Sequence, residues 1–399
     1  MQKPLEGIKV VELGVVLAAP YCGLLLSDLG ADVIKIEAPE GDETRGYLPF
    51  MGDTGFSAFT AAINRSKRSI SLDLKNPEAV QAYLKICAGA DVVLENFRPG
   101  VSERLGVGPD AVKAVNPDIV YCAISGFGHK GPRAKDAAMD FFIQAFSGQM
   151  SMIGEEGGPS ARIGGPMMDI TASLHGALGI VSALFRRGKT GDGALVQTSL
   201  LEGQIACLSY MWPAMQATGK PPGKMGRGHP NFCPYQTFQA KDADVAIACL
   251  NDRMFRNLAK TIGQPELADD PNFATNAKRV EHRAQTEAIV EAYVSVRSAA
   301  EVAEALRENG VPATPVNTLD KVRDDPQIEA LGGMLTVDQP GVGKIELAHQ
   351  ALWFDGERAE AEGPAPRLGE HGREVLKEAG LSEDAISALV SKGAVRNLK

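Results

Sequence analysis

The chain has 399 residues, a length that predicts about two domains. Its 44% hydrophobic and 23% charged residues are typical of a globular protein, and the net charge of −9 disfavours nonspecific binding to nucleic acid, which needs a basic surface. Six scattered cysteines without C-x-x-C spacing predict buried thiols rather than a disulfide framework or a zinc ribbon.

The first 125 residues alternate short β-branched runs with helical patterns, which predicts parallel βαβ units in a Rossmann-like α/β fold. The predicted strands are Ile8–Leu13, Asp32–Glu37, Ser69–Leu74, Asp91–Glu95 and Asp118–Ser125, and the predicted helices between them are Pro20–Leu29 and Pro77–Ala88. The first strand is followed by LGVVLAAP rather than G-x-G-x-x-G, and G-x-x-x-x-G-K-[ST] is absent. The usual sequence support for NAD or ATP binding is therefore missing.

Two carboxylates stand before apolar runs in the middle of the chain. In the stretch from Gly164 to Arg187, Asp169 precedes Ile170, Leu174, Leu178, Val181 and Phe185, which have the spacing of one helical face. Asp169 either caps this helix or is a nucleophile kept ionised by the N–H groups at the helix start. Asp140 is likewise interpreted as a cap.

The rest of the chain divides at two segments rich in proline and glycine. A helix over Leu200–Met215 precedes the segment Thr218–Asn231, and a strand pair at 234–238 and 244–250 leads into helices as far as Arg307. The second segment, 309–326, is interpreted as a crossing, followed by alternating stretches at 332–339 and 343–354 and helical 367–390. These breaks predict a small domain with linkers at 218–325, after a large domain that begins with residues 1–217.

Motif tests exclude several kinds of site. Neither H-E-x-x-H nor any Cys/His ligand spacing supports a metal, and no G-x-S-x-G elbow supports a hydrolase serine. In open α/β sheets ligands bind at the carboxyl ends of the strands, where the loops 95–100 and 125–132 follow predicted strands. Basic residues near strand ends either receive phosphates or are solvated charges. These residues are Lys67, Arg68, Lys75, Arg98 and Arg104.

Eight ordered blocks resemble the family III CoA-transferases, the CaiB/BaiF family. They are LGxxLAxPYC at 13–22, LGADVIKIE at 29–37, NRSKRSISLDLK at 64–75, ADVVLENFRPG at 90–100, ISGFGxxGP at 124–132, GHPNFCPYQTF at 228–238, VPATPVNTLDKVRDDPQ at 311–327 and LGEHGREVL at 368–376. The resemblance implies a Rossmann-like large domain to which residues 326–399 return, an inserted smaller domain, and an interlocked homodimer. Separately from the resemblance, the start lacks a signal-peptide pattern and the sequence has no apolar run of about 18 residues, which predicts a cytoplasmic protein.

The resemblance also implies a chemistry and a set of site residues. Asp169 would attack the thioester of an acyl-CoA and then carry CoA as a thioester, supported by Asp140 and by the N–H groups of Gly164 and Gly165 as an oxyanion site. Coenzyme A would be the only cofactor, as substrate, with no metal, NAD or ATP. The implied CoA contacts are Leu17, Ala18, Leu72, Asp73, Leu74, Lys75, Asn96, Phe97, Arg98 and Arg104.

Residues that differ from the motifs of related enzymes disfavour some of the reactions known for this fold. Leu17 and Ala38 replace a glutamine and a CoA-contacting arginine of the oxalate-using formyl-CoA transferases, and GRGHPN replaces their glycine run, which disfavours the oxalate and formate pair. An α-methylacyl-CoA racemase of the same fold would need a histidine where Met139 stands, and His129 lies outside that motif. A catalytically silent CoA-binding subunit would have no need to keep Asp169 ionised and uncovered.

The acyl donor and acceptor are left open, with one hypothesis for the second carboxylate of a dicarboxylic acid such as succinate. Arg227, Gly228 and His229 in the glycine- and proline-rich segment either bind that carboxylate or belong to a solvated linker.

Overall fold

The computed structural model describes residues 3–224, 226–359 and 363–398. The chain divides into two compact units. The first unit takes the chain up to Ser147, from Ile163 to Ala214 and from Glu329 onward, and the second takes Gly148–Arg162 and Met215–Ile328. Segments from both ends of the chain therefore belong to the first unit.

The strands, in chain order, are β1 (Lys9–Leu13), β2 (Asp32–Glu37), β3 (Arg68–Leu72), β4 (Val92–Glu95), β5 (Val120–Ser125), β6 (Ala194–Ser199), β7 (Tyr235–Gln239), β8 (Asp244–Ala248), β9 (Ala313–Pro315), β10 (Met334–Gln339), β11 (Gly343–Ala348), β12 (Trp353–Phe354), β13 (Glu357–Arg358) and β14 (Val395–Arg396).

The α-helices are α1 (Ala18–Asp28), α2 (Ala58–Asn64), α3 (Pro77–Ala88), α4 (Val101–Leu105), α5 (Pro109–Val115), α6 (Asp140–Phe146), α7 (Met167–Thr190), α8 (Leu200–Cys207), α9 (Met211–Thr218), α10 (Asp252–Thr261), α11 (Asn276–Glu281), α12 (Arg283–Val294), α13 (Ala299–Glu308), α14 (Leu319–Arg323), α15 (Pro326–Ala330), α16 (Gly372–Glu378) and α17 (Glu383–Ser391).

The first unit contains a seven-stranded sheet in the order β14-β3-β2-β1-β4-β5-β6. Strands β1 to β6 run parallel, and β14 pairs antiparallel to β3. The order 3-2-1-4-5-6 is that of dinucleotide-binding folds. The predicted α/β class is thus confirmed, and the loops after β1, β3 and β4 emerge at one edge of the sheet.

Both faces of this sheet are buried, because side chains alternate between the faces along each strand. Val10 of β1 packs in a cluster with residues of α1 and α7, whereas its neighbour Val11 packs in a cluster with residues of α3, α16 and α17. Because helices cover both faces of the sheet, the sequences of the early strands are continuous apolar runs rather than alternating apolar and polar residues.

The predicted elements at the start of the chain lie within a few residues of the observed ones, and two later interpretations need correction. The single helix predicted over Leu200–Met215 is two helices, α8 and α9, separated at Ser209, which has a φ of +39°. The segment 309–326, interpreted as a crossing, contains β9, which pairs with β8. Short strands of this kind depend on distant partners that local composition does not reveal.

The second unit contains the antiparallel sheet β7-β8-β9, and the predicted strand pair there is confirmed. Its core joins Phe238 and Val245 of the sheet to Phe255, Val290 and Leu306 of the helices α10, α12 and α13.

Two of the basic residues predicted near a phosphate site are engaged elsewhere. Lys67 is fully buried, with its Nζ 2.8 Å from Glu12 Oε2, and burial lowers the pKa of Lys67 to about 8. Arg68 begins β3, at the amino edge of the sheet, where it pairs with Asp32 and Glu378. Neither side chain is available to a ligand at the carboxyl edge.

Helix α7 is, among the described residues, the one helix long and apolar enough to cross a membrane by length and composition, a test that core helices of soluble proteins also pass. Its residues Ala172, Gly176 and Ile180 are buried in the first unit. The apolar face that the sequence predicts on this helix is not buried, since Leu178 and Phe185 on that face are 65% and 67% exposed. The helix therefore has one packed face and one uncovered apolar face.

Candidate active site

Asp169 does not cap the helix on which it lies. Helix α7 begins at Met167 with Pro166 at the N-cap position, so Asp169 is its third residue. Its side chain accepts no hydrogen bond from the described residues, and it is half-buried. The capping interpretation of Asp169 is therefore wrong, and the carboxylate is left without a structural partner.

The start of α7 is capped instead by Asp140, the first residue of α6. Asp140 Oδ2 accepts hydrogen bonds from the backbone N–H of Met168 at 2.6 Å and of Asp169 at 3.3 Å. Gln144, one turn later on α6, donates to Asp140 Oδ1 and accepts from the N–H of Ile163 at 2.9 Å. Asp140 therefore caps α7, and the prediction that it caps the helix that it begins is wrong, since α6 has no side-chain cap.

This arrangement changes the electrostatics expected at the helix start. A helix N-terminus favours a negative charge through its free N–H groups, but Asp140 already accepts two of them. Burial, and next the charge of Asp140, raise the pKa of Asp169 from 3.8 to about 7. The expectation that the helix end holds Asp169 firmly ionised is therefore wrong, and near neutral pH its carboxylate and carboxylic acid coexist.

Gly164 and Gly165 lie immediately before this helix. Both are exposed, and Gly165 has a φ of +80°, which favours glycine. Among the described residues, neither N–H group has a hydrogen-bond acceptor. Both donors are consequently free for a ligand.

Ser173 joins the start of α7 to the start of α1. This fully buried side chain lies one turn after Asp169, with its Oγ 2.7 Å from the carbonyl oxygen of Asp169 and 2.6 Å from that of Ala18. Asp169 is therefore fixed close to the loop that follows β1.

The residues implied to contact CoA surround the carboxyl edge of the sheet. Leu17 and Ala18 begin α1 with buried side chains, so only their backbone can reach a ligand. The others end or follow β3, follow β4 or lie on α4: Leu72 is buried, Asp73, Leu74, Asn96 and Phe97 are half-buried, and Lys75, Arg98 and Arg104 are exposed. No ion pair of the described residues includes these three cations.

The residues weighed for racemase chemistry do not form an acid–base pair. Met139 is 63% exposed, and its thioether cannot transfer a proton. The ring Nε2 of His129 lies 3.3 Å from the carbonyl oxygen of Ala123.

Arg227, Gly228 and His229 line a cavity of about 700 Å³ in the second unit. Its floor includes Ala246 and Ile247 of β8, and Arg307, from the last turn of α13, also lines it. His229 stacks on Tyr235 at 5.0 Å, and burial and Arg283 lower the pKa of His229. The arginines, rather than the neutral histidine, are therefore the cations of this cavity.

Sequence reasoning missed three of these residues. Gln144 could have been found from the sequence, since it lies four residues after Asp140, a spacing that brings two side chains together on a helix. Ser173 and Arg307 have no such signal, because Ala18, which Ser173 binds, and Arg227, which lines the same cavity as Arg307, are distant from them in sequence. Among the described residues, no group of three or more His, Cys, Asp or Glu side chains is placed to hold a metal ion.

Fold and site together define an α/β enzyme with a carboxylate as its candidate nucleophile. The model of CoA-transferase family III matches residues 5–372, and the chain belongs to this family. It is a CoA-transferase, similar to relatives that carry that name.

Three of these comparisons cover nearly the whole chain. The succinate–glutarate CoA-transferase of Agrobacterium fabrum is 35% identical over 94% of this chain and 95% of its own length. The acetyl-CoA:oxalate CoA-transferase of Acetobacter aceti is 37% identical over 94% of this chain and 95% of its own length. The crystal structure of a CaiB/BaiF family protein from Brucella suis has a TM-score of 0.86 at 39% identity and covers 95% of this chain and 100% of that chain.

The raised pKa of Asp169 predicts a stability that depends on pH. Because the pKa is higher in the folded chain, ionising Asp169 costs folding free energy as pH rises from 3.8 to about 7. Asp169→Asn removes this cost. Its gain in free energy of unfolding at about pH 8 should exceed its gain at about pH 5 by roughly 2 to 3 kcal/mol.

Urea unfolding of both proteins at the two pH values measures the difference. Asp110→Asn, which removes an exposed aspartate from the first turn of α5, is the control for loss of one charge. Equal gains for Asp169→Asn at both pH values would contradict the assigned environment.

Proposed function

We propose that this CoA-transferase works through covalent intermediates on Asp169. The observation that carries the proposal is a half-buried carboxylate that accepts no hydrogen bond from the described residues, a few residues after Gly164 and Gly165, whose N–H groups have no acceptor among those residues. A carboxylate engaged by donors would be a weaker nucleophile.

In the first half of the reaction, an oxygen of Asp169 attacks the thioester carbonyl carbon of the acyl-CoA and the CoA thiolate leaves. The product is a mixed anhydride of the acyl group and Asp169. The thiolate then attacks the Asp169 carbonyl carbon and releases the donor acid as a carboxylate. Asp169 now carries CoA as a thioester.

The second half reverses these steps with the acceptor. The acceptor carboxylate attacks the Asp169 carbonyl carbon, expels the CoA thiolate and forms a second anhydride. The thiolate attacks the acyl carbon of the acceptor, which gives the new acyl-CoA and regenerates the Asp169 carboxylate. Gly164 and Gly165 would donate to the oxyanion formed in each attack, a contribution of about 3 to 4 kcal/mol for a well-placed donor.

The covalent role of Asp169 is tested with succinyl-CoA and no acceptor. Mass spectrometry of the digested protein should detect CoA on the peptide that contains Asp169. Asp169→Ala should give no adduct and slow CoA transfer by about four orders of magnitude. Asp110→Ala should give the adduct, and an adduct on any other residue would reject the proposed nucleophile.

For the substrate, we propose a dicarboxylic acid, and we propose the cations of the second unit as the groups that bind a carboxylate of this acid. Arg227 and Arg307 line its largely apolar cavity, and no ion pair of the described residues includes either one. The names of relatives contain succinate, glutarate and oxalate, all dicarboxylates, which supports the same class here.

Arg227→Ala should lower kcat/KM for succinate as acceptor by about tenfold to a hundredfold, the loss expected for a hydrogen bond between charged groups. It should leave kcat/KM for propionate, which has no second carboxylate, within about twofold. Arg253→Ala, an exposed arginine on α10, is the matched control. An equal loss for both acids would show that Arg227 does not recognise the second carboxylate.

We also propose that the protein is cytoplasmic and that it forms a homodimer. The dimer is supported by the uncovered apolar face of α7, because exposed apolar patches of this kind commonly mark interfaces. This face is formed by Leu174, Leu178, Val181 and Phe185. Sedimentation velocity at micromolar concentration should give twice the chain mass, and a monomer would contradict the proposal.

A further inference from the structure

The loop between β1 and α1, residues 14–17, is held by the side chain of Asn96. Asn96 Oδ1 accepts from the N–H of Val15 at 2.8 Å, and Asn96 Nδ2 donates to the carbonyl oxygen of Val15 at 2.9 Å. The turn that carries Asn96 is itself fixed, since Glu95 Oε2 accepts from the N–H of Phe97 at 2.5 Å. Both ends of this side-chain amide therefore bind backbone.

The residues on either side of Val15 are held by a buried ion pair. Lys35 Nζ donates to the carbonyl oxygen of Gly14 at 2.6 Å and lies 3.0 Å from Asp42 Oδ2. Asp42 Oδ2 in turn accepts from the N–H of Val16 at 3.2 Å. Three consecutive residues are thus each fixed by a side chain from outside the loop.

The loop needs these contacts because its conformation is unfavourable by itself. Val16 has a φ of +60°, a region that β-branched residues rarely adopt. Gly14 has no room for a side chain, since a Cβ there would lie 2.8 Å from the Cβ of Ala19. Without its contacts the loop would relax to other conformations, and the backbone of Leu17 and Ala18 would move with it.

We propose that Asn96, Lys35 and Asp42 are positioning residues for coenzyme A: they hold the β1–α1 loop in the conformation that presents Leu17 and Ala18 to the coenzyme. The inference rests on the proposed function only in taking CoA as the ligand at this edge. It changes the expected role of Asn96, whose side chain acts on the loop rather than on CoA.

The test compares two asparagines that each make two side-chain hydrogen bonds to backbone, at opposite edges of the sheet. Asn116 also binds backbone through its side chain, with Nδ2 donating to the carbonyl oxygens of Cys87 and Ala90, but it precedes β5 at the amino edge. Calorimetry with free CoA should give a Kd about tenfold higher for Asn96→Ala, because a smaller fraction of the protein has the loop in place. Asn116→Ala should keep the Kd of the unmodified protein within about twofold.

A second variant separates loop conformation from loss of a direct contact. Glycine adopts a positive φ readily, so Val16→Gly in the Asn96→Ala background should restore part of the lost affinity. A Kd unchanged by Asn96→Ala, or an equal loss in Asn116→Ala, would overturn the positioning role. If Val16→Gly does not improve the affinity for CoA, Asn96 acts by direct contact with CoA. This result would also overturn the positioning role.

The unmodified protein distinguishes this failure from failure of the proposed function. CoA binding by the unmodified protein with no effect of Asn96→Ala rejects the positioning role alone. Absence of CoA binding by the unmodified protein rejects the proposed function and with it the inference.

Discussion

The hydrogen bonds from the start of α7 to Asp140 determine the chemistry available at Asp169. By accepting from the N–H groups of Met168 and Asp169, Asp140 removes the donors that would otherwise stabilise the neighbouring carboxylate. Burial and the charge of Asp140 then raise the pKa of Asp169 to about 7. A nucleophile with a pKa near the working pH combines appreciable ionisation with higher basicity than an ordinary aspartate.

The rest of the first unit brings the carboxyl edge of its sheet close to the residue that bears this carboxylate. Ser173 binds carbonyl oxygens at the starts of both α7 and α1, so the two helices keep a fixed relation there. The strand order is that of dinucleotide-binding folds, but the loop after β1 lacks their glycine pattern. Contacts from Asn96, Lys35 and Asp42 fix this loop instead.

Much of the fold could be predicted because its signals are local. The helix Pro77–Ala88 and the strand Asp32–Glu37 have the predicted bounds, since proline at a helix start and continuous β-branched runs are visible in the sequence. β14 could not be predicted, because two residues near the chain end join β3 only through long-range pairing. The role of Lys67 was also hidden, since its spacing gives no indication of the buried Glu12 that it contacts.

The same limit applies to the candidate site. Sequence reasoning identified Asp169 and Asp140 and placed both at helix starts. It could not find that Asp140 caps the helix of Asp169, because a side chain that crosses to another helix has no fixed spacing. Burial together with the charge of Asp140 therefore reverses the expected effect of the helix end on the pKa of the Asp169 carboxylate. Local patterns thus give candidate residues for the site but not its electrostatics.

The path of the carboxylate oxygen atoms distinguishes transfer of CoA through a covalent bond to Asp169 from transfer without one. In the proposed sequence, each turnover passes one oxygen from the acceptor carboxylate to Asp169, and the next turnover passes an Asp169 oxygen to the released donor acid. With an acceptor labelled in its carboxylate by heavy oxygen, the account predicts label in the Asp169 peptide and in the donor acid. Product formation with an unlabelled Asp169 peptide would contradict it.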